Sequence, residues 1–384
     1  MAAPTSDCRC SRAAECGRSR AGPRTATVTD ASQQNFERTV ARALDLGINH
    51  FETARGYGTS EVQFGQALGR HRRDAFVLQT KLRPHENQKT FEAQLEESFA
   101  RLRVRTIDLL SFHGLNAQHD LDLTLHAGGS WEVADAFRRA GRIRHIGFST
   151  HAPTRLIVDA IRSDKFDYVN LHYYYLFQDN RPALTAAAER DLGVFIISPT
   201  DKGGRLHKPS DKLRALCAPL APLGFNDLWC LSHPEIHTLS LGAARPSDFD
   251  AHIEVLARLD EAPGLLPPVV ERLEAATREA LGADFAARWR VGLPEWTEVP
   301  GRINLRRILW LDALVRAYDL VDFAQERYAA MNPDDHWVPG ARAAEFDDAE
   351  MTAAVPDWPF RGEIAQRLRA AHARLHNPVV KPQP

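Results

Sequence analysis

Short apolar runs alternate along the chain with longer stretches in which apolar residues recur every three or four positions. The short runs predict strands and the longer period predicts amphipathic helices. Strands are predicted at 48–51, 75–80, 107–112, 143–148, 168–171, 194–197 and 237–241. Phe36, Val40, Ala43 and Leu44 mark a helix, with Asp30 and Gln33 as a capping box and Gly47 as its stop. Phe91, Leu95, Phe99 and Leu102 mark another, and 131–140 a third that ends at Gly141. Strands alternating with helices imply a parallel sheet joined by right-handed crossovers. Seven such strands predict an α/β fold, a (β/α)8 TIM barrel whose first strand is missing or replaced. Only Thr25-Ala26-Thr27-Val28-Thr29 alternates enough to fill that place, so residues 25–29 are expected in or near the gap, poorly paired. The other arrangement is a barrel open between its strands at Ile48 and His237.

The rhythm changes at both ends. Residues 1–24 are rich in Ala, Arg, Ser and Cys and lack periodicity, so a disordered head is expected. Strand signals stop near Pro263. Helical patterns follow at 273–281, 305–328 and 364–375, punctuated by Pro267-Pro268 and by prolines within 294–300. The expected organisation is therefore a head at 1–24, a barrel at 25–262 and an all-helical domain at 263–384.

Composition narrows the classes of partner. The 384 residues are 44% hydrophobic and 26% charged, which is ordinary for a chain with a large core. A formal net charge of -2 gives no global attraction to nucleic acid or to an anionic membrane. No apolar run approaches the ~20 residues that span a bilayer. The first residues lack the apolar stretch of a signal peptide. The five cysteines, Cys8, Cys10, Cys16, Cys217 and Cys230, are odd in number and crowded at the head, unlike a disulfide framework. A cytoplasmic protein with a small-molecule partner is expected, and the sequence leaves its oligomeric state open.

Functional side chains of a parallel barrel gather at the C-terminal ends of its strands. Those ends carry Glu52, Lys81, His113, Ser149, Asn170 and Ser198, and Tyr57 lies in the loop after the first. As an ordered set, Glu52-Thr53-Ala54-Arg55-Gly56-Tyr57-Gly58-Thr59-Ser60-Glu61, Thr80-Lys81, Asp108 to His113, Ile146-Gly147-Phe148-Ser149 and Ser198-Pro199 resemble the aldo/keto reductase family over about residues 30–260. The resemblance implies a (β/α)8 barrel that reduces a carbonyl (an aldehyde, ketone or quinone) with a nicotinamide cofactor. In that reading Tyr57 is the general acid. A free phenol has a pKa of ~10, and a neighbouring Lys81 ammonium lowers it. Glu52 holds Lys81 charged and oriented, and His113 donates to the carbonyl oxygen. Glu52 stands where most of the family has Asp.

The resemblance further implies that Ser149 and Asn170 bind the nicotinamide carboxamide, that Ser198 meets the cofactor phosphates and that Gly242 and Arg245 lie at the adenosine end. Arg245 favours NADP by facing a 2′-phosphate, while Asp248 nearby favours NAD. NADP is expected, with NAD as the alternative. Tyr173, Tyr174 and Tyr175 are expected to shape one wall. A catalytically weak barrel that binds a nucleotide or a protein is the alternative function.

Glu52 and its surroundings also resemble a subgroup that carries a C-terminal ferredoxin-like domain, in which Cys-x-x-Cys-x-x-Cys-x-x-x-Cys-Pro runs ligate iron. No cysteine follows Cys230. Trp289, Gly292, Glu295 and Val299, then Pro300, keep the spacing of one run. Glu345, Asp348, Met351 and Val355, then Pro356, keep that of a second. A helical domain that has lost its clusters is expected, with no iron–sulfur cluster.

Overall fold

The computed structural model describes residues 13–16, 28–335 and 337–380. Within them eight parallel strands close a barrel in sequence order. They are β1 (Ala13–Cys16), β2 (His50–Glu52), β3 (Val77–Leu82), β4 (Ile107–His113), β5 (Ile143–Ser149), β6 (Tyr168–Leu171), β7 (Gly193–Ile197) and β8 (Thr238–Ala243). The last seven are the predicted strands, each displaced by no more than two residues at either end.

The first strand corrects the expectation for the gap. Ala13–Cys16, inside the stretch expected to be a disordered head, pairs with Ser240 to Ala243 of β8 at four positions and with His50 of β2 at one. Residues 25–27 lie outside the described residues, and Val28 and Thr29 are in no strand. Thr29 instead caps the helix Asp30–Asp45, its hydroxyl accepting from the amide of Ser32 at 3.2 Å. The cap therefore stands one residue before the predicted Asp30. Ala-Ala-Glu-Cys has neither alternation nor β-branched residues. It pairs because the edges of β2 and β8 offer it unmatched backbone groups.

The helices outside the barrel bury the faces that their periodicity marks. In the helix Gln88–Leu102, Phe91, Leu95, Phe99 and Leu102 are buried, each contributing about 1.5–3 kcal/mol. Asp108 on β4 is buried, accepts from the amide of Leu78 on β3 at 2.8 Å and pairs with Arg73 and Arg144. It fixes the N-terminal side of those two strands, opposite the rim where β3 and β4 end.

By internal contacts the chain divides into two units. The first comprises the residues up to Gly203 and Asn226–Ala262; the second comprises Gly204–Phe225 and Pro263–Pro384. Gly204–Phe225, expected with the barrel, thus groups with the tail. Arg205 pairs with Glu326, Ser210 Oγ donates to the carbonyl of Tyr318 at 2.6 Å, and Arg272 Nε donates to that of Leu216 at 2.9 Å. The stretch predicted as one helix over 305–328 is two, Leu305–Tyr318 and Val321–Ala330, because Asp319 takes a left-handed conformation (φ 58°). Pro267 and Pro268 lie within the helix Ala262–Leu281 and do not stop it.

One glycine of the barrel wall is required by a close approach. A Cβ on Gly147 of β5 would lie 2.5 Å from the carbonyl oxygen of Tyr168 and 2.6 Å from its ring carbons. Gly147→Ala should therefore destabilise the barrel by about 2 kcal/mol and lower Tm by roughly 5 °C in a thermal melt. An unchanged Tm would mean that β6 yields without cost.

Candidate active site

The period of a strand sends every second side chain into the barrel. On β2 these are His50 and Glu52, on β3 Gln79 and Lys81, on β4 Ser111, on β6 Tyr168 and Asn170, and on β8 Ser240. All are buried. Ion pairing and hydrogen bonding satisfy them, as burial demands.

At the upper end of this column Lys81 Nζ lies 2.5 Å from Glu52 Oε1, with side-chain exposures of 2% and 1%. Lys81 also donates to the carbonyl of Thr53 at 3.1 Å. Above it stands Tyr57, whose ring centroid is 4.9 Å from Lys81 Nζ. The His113 ring meets the Tyr57 ring edge-on, with centroids 5.4 Å apart and planes at 86°. Glu52, Tyr57, Lys81 and His113 are thus brought together. Tyr57 and His113 are partly exposed, while Lys81 and Glu52 are not.

The loop that carries Tyr57 is tied down locally. The amide of Tyr57 donates to Ala54, that of Ser60 donates to Tyr57, and that of Arg55 donates to Lys81. Thr53 and Ser60 share a hydroxyl bond of 2.8 Å. Gly58 is left-handed (φ 56°), which lets the chain turn into the helix Ser60–Leu68. Glu61 in that helix is buried and takes the hydroxyls of Thr80 and Ser98 at 2.7 and 3.2 Å. Burial raises its carboxyl, and the bonds to Thr80 and Ser98 work the other way.

Ser149, Asn170 and Ser198 stand at the ends of β5, β6 and β7. Ser149 Oγ accepts from the amide of Gly114 at 3.1 Å, which leaves its own proton to donate. Ser198 takes a left-handed turn (φ 52°) before the short helix Pro199–Lys202. Asn170, expected at the nicotinamide carboxamide, is engaged inside the barrel in this structure. Its side chain is wholly buried; Nδ2 donates to Glu52 Oε2 at 3.2 Å and Oδ1 accepts from Gln79 Nε2 at 2.9 Å. In register Asn170 pairs with Ser149, the last residue of β5. Gly242, near the end of β8, and Arg245, after it, are exposed. Arg245 Nε pairs with Asp248 Oδ1 at 2.9 Å, and Asp248 Oδ2 accepts from the amide of Ala244 at 2.8 Å. Burial works to raise the Asp248 carboxyl, but these bonds outweigh it and hold it below the usual range.

Sequence reading missed a second chain of polar groups at the same rim. His151 Nδ1 lies 2.6 Å from His172 Nε2, and His172 Nδ1 lies 2.5 Å from the hydroxyl of Tyr174, which donates to the carbonyl of Ile197. Because Tyr174 donates to a carbonyl, it must accept from His172, which sets that ring's tautomer. The chain links the ends of β5, β6 and β7. Tyr173 stacks on Trp229 and also meets His233, so two of the three predicted wall tyrosines pack inward. Among the described residues no group of three or more His, Cys, Asp or Glu is arranged to hold a metal ion, and no helix is long and apolar enough to cross a membrane.

The profile of the "Aldo/keto reductase family" matches residues 17–222, more than half of the chain. The chain belongs to the aldo/keto reductase family. Among similar proteins is an uncharacterized oxidoreductase of Bacillus subtilis, 26% identical over 202 residues, which are 46% of this chain and 60% of that protein. The chain thus spans less than two thirds of that relative's length. An aldo-keto reductase of Bacillus halodurans in its holo form superposes with a TM-score of 0.53 at 19% identity, over 66% of this chain and 92% of the other. An aldo/keto reductase of Klebsiella pneumoniae in complex with NADP and acetate gives 0.51 at 22% identity, over 63% and 88%. These two likenesses establish the barrel fold that the family shares.

The aldo/keto reductase barrel of this chain also holds a histidine that burial keeps neutral. His50 is pushed down to about 4 by desolvation, while its bond to Gln79 works the other way. An unfolded histidine titrates near 6.5. Between those values the unfolded chain binds the extra proton, so stability is full above pH ~6.5 and is lost as pH falls toward 4. The loss from this group should approach roughly 3 kcal/mol. His50→Gln, which keeps a donor, should flatten that part of the stability–pH curve in denaturant titrations at pH 7 and pH 4.5; an unchanged slope would exclude His50 as its source.

Proposed function

We propose that the chain is an NAD(P)H-dependent reductase of carbonyl compounds (aldehydes, ketones or quinones). The observation that carries this reading is Tyr57 set against both Lys81 and His113, with Lys81 held by a buried Glu52. A bound nicotinamide would supply hydride to the carbonyl carbon. Negative charge then builds on the carbonyl oxygen, and Tyr57 is placed to give it a proton. The Lys81 ammonium lowers the cost of leaving a phenolate at Tyr57. Glu52 keeps that ammonium charged in a site from which water is excluded. His113, partly exposed beside Tyr57, donates to the same oxygen and orients the substrate.

The donor set fits a nicotinamide nucleotide in part. Ser149 has a hydroxyl proton to give a carboxamide, Ser198 follows β7 half-buried, and Gly242 is exposed near the end of β8. Asn170, turned toward Glu52, is assigned to the ion pair. Arg245 is the cation for a 2′-phosphate, which makes NADP the preferred cofactor and agrees with the ligand of the Klebsiella pneumoniae neighbour. Asp248 competes for the same guanidinium, so NAD remains the alternative. NADH or NADPH oxidation with aldehydes and quinones tests the whole reading. Tyr57→Phe should lower kcat by about 100-fold or more while NADPH binding, read by fluorescence, is kept. Equal rates in the two proteins would remove Tyr57 from the chemistry.

The tail is proposed to be a ferredoxin-like module whose clusters are gone. Its two degenerate runs lie side by side: the indole of Trp358 donates to the carbonyl of Trp289 at 2.8 Å, and the space of a Cβ at Gly292 is taken by the backbone of Asp357, 2.6 Å away. Trp289, Val299, Met351 and Val355 fill the interior. Glu345 and Asp348 face solvent, Asp348 paired with Arg369. Soft thiolates are what an iron–sulfur cluster needs, and apolar packing replaces them here. Purified protein should contain no stoichiometric iron or acid-labile sulfide; one cluster per chain would sink the assignment.

A further inference from the structure

The interior of a parallel barrel is ordinarily filled by branched apolar side chains. Here a file of buried hydrogen bonds runs up it toward Glu52, and its direction can be worked out atom by atom. Gln79 Nε2 has two protons, and both are used, toward Ser111 Oγ at 3.0 Å and Asn170 Oδ1 at 2.9 Å. Gln79 Oε1 is therefore the acceptor in its 3.0 Å contact with His50 Nε2. Asn170 must then turn Nδ2 toward Glu52, where it donates to Oε2 at 3.2 Å. Ser240 Oγ donates to the same oxygen at 2.9 Å. Oε1, the other oxygen, is the one against Lys81 Nζ. A buried ion pair holds only if its remaining lone pairs are satisfied, and a glutamate has three side-chain torsions to restrain.

We infer that Ser240 and Gln79 are positioning residues for the Glu52–Lys81 pair: Ser240 directly, and Gln79 by fixing which way the Asn170 amide points, hold Glu52 Oε2 so that Oε1 stays on Lys81. What this does for Tyr57 rests on the function proposed above. Lys81 and His113 are titratable groups that face the Tyr57 ring, with Glu52 behind Lys81. When Oε2 loses a donor, the carboxylate charge is less well satisfied and draws the ammonium proton toward itself. Less positive charge then faces Tyr57, and the phenol ionises less readily.

The test is an ultraviolet titration of tyrosinate in the full chain, with the Tyr57→Phe curve subtracted in each background and no cofactor or substrate present. Ser240→Ala and Gln79→Met should each weaken ionisation of Tyr57 by about threefold or more, a midpoint moved up by roughly half a unit. Ser240→Thr, which restores the hydroxyl, should return it to the parent value. Ser98→Ala removes a comparable buried hydroxyl from Glu61 instead of Glu52 and should leave Tyr57 unmoved. A parent-like midpoint in Ser240→Ala, or an equal shift in Ser98→Ala, overturns the inference. If Gln79→Met does not fold, the Ser240 comparison decides alone. The readout needs no turnover, so a parent that reduces no carbonyl would defeat the proposed function and leave this result standing.

Discussion

The ion pair between Lys81 and Glu52 is the constraint around which the barrel interior is arranged. Two opposite charges at 2.5 Å with almost no exposure are stable only when every remaining polar atom is met. That requirement draws in Asn170 and Ser240, and through Asn170 the side chain of Gln79. It also accounts for polar residues at inward positions that would otherwise be Val, Ile or Leu. The same pair sets the field at Tyr57, so the core of the fold and the chemistry of the rim share one electrostatic origin.

Much of this was readable before any coordinates. Ile107 to His113 and Ile143 to Ser149 announce themselves as strands because short, largely apolar runs between helical stretches suit a parallel sheet covered by helices. Glu52, Lys81 and His113 follow from the same reading, since each stands directly after a predicted strand. The polar file beneath them was not legible. Gln79 and Ser240 sit inside apolar runs, and nothing in a linear pattern says which atom of an amide faces which neighbour. The direction of the Asn170 side chain is hidden for the same reason, since it depends on Gln79, distant in sequence.

Long-range pairing also explains the units. Gly204–Phe225 lies between two barrel strands in sequence, so continuity assigns it to the barrel. Its ties run instead to Glu326, Tyr318 and Arg272, each far along the chain, and no local periodicity encodes them. In the tail, Pro267 and Pro268 read as punctuation, yet the helix Ala262–Leu281 continues through them because buried residues on both sides, Leu266, Val269 and Leu273 among them, anchor it.

The short first strand has a mechanical consequence. Among the described residues Ala13–Cys16 joins β8 at four positions and β2 at one, so within them the β1–β2 joint is the more lightly stitched seam. Glu52 belongs to β2 and Ser240 to β8, the two strands that flank β1. Their hydrogen bond therefore crosses the seam from the inside, like a tie-rod between the two ends of an almost open hoop. In this protein the group that anchors the rim's ammonium also helps keep the cylinder shut.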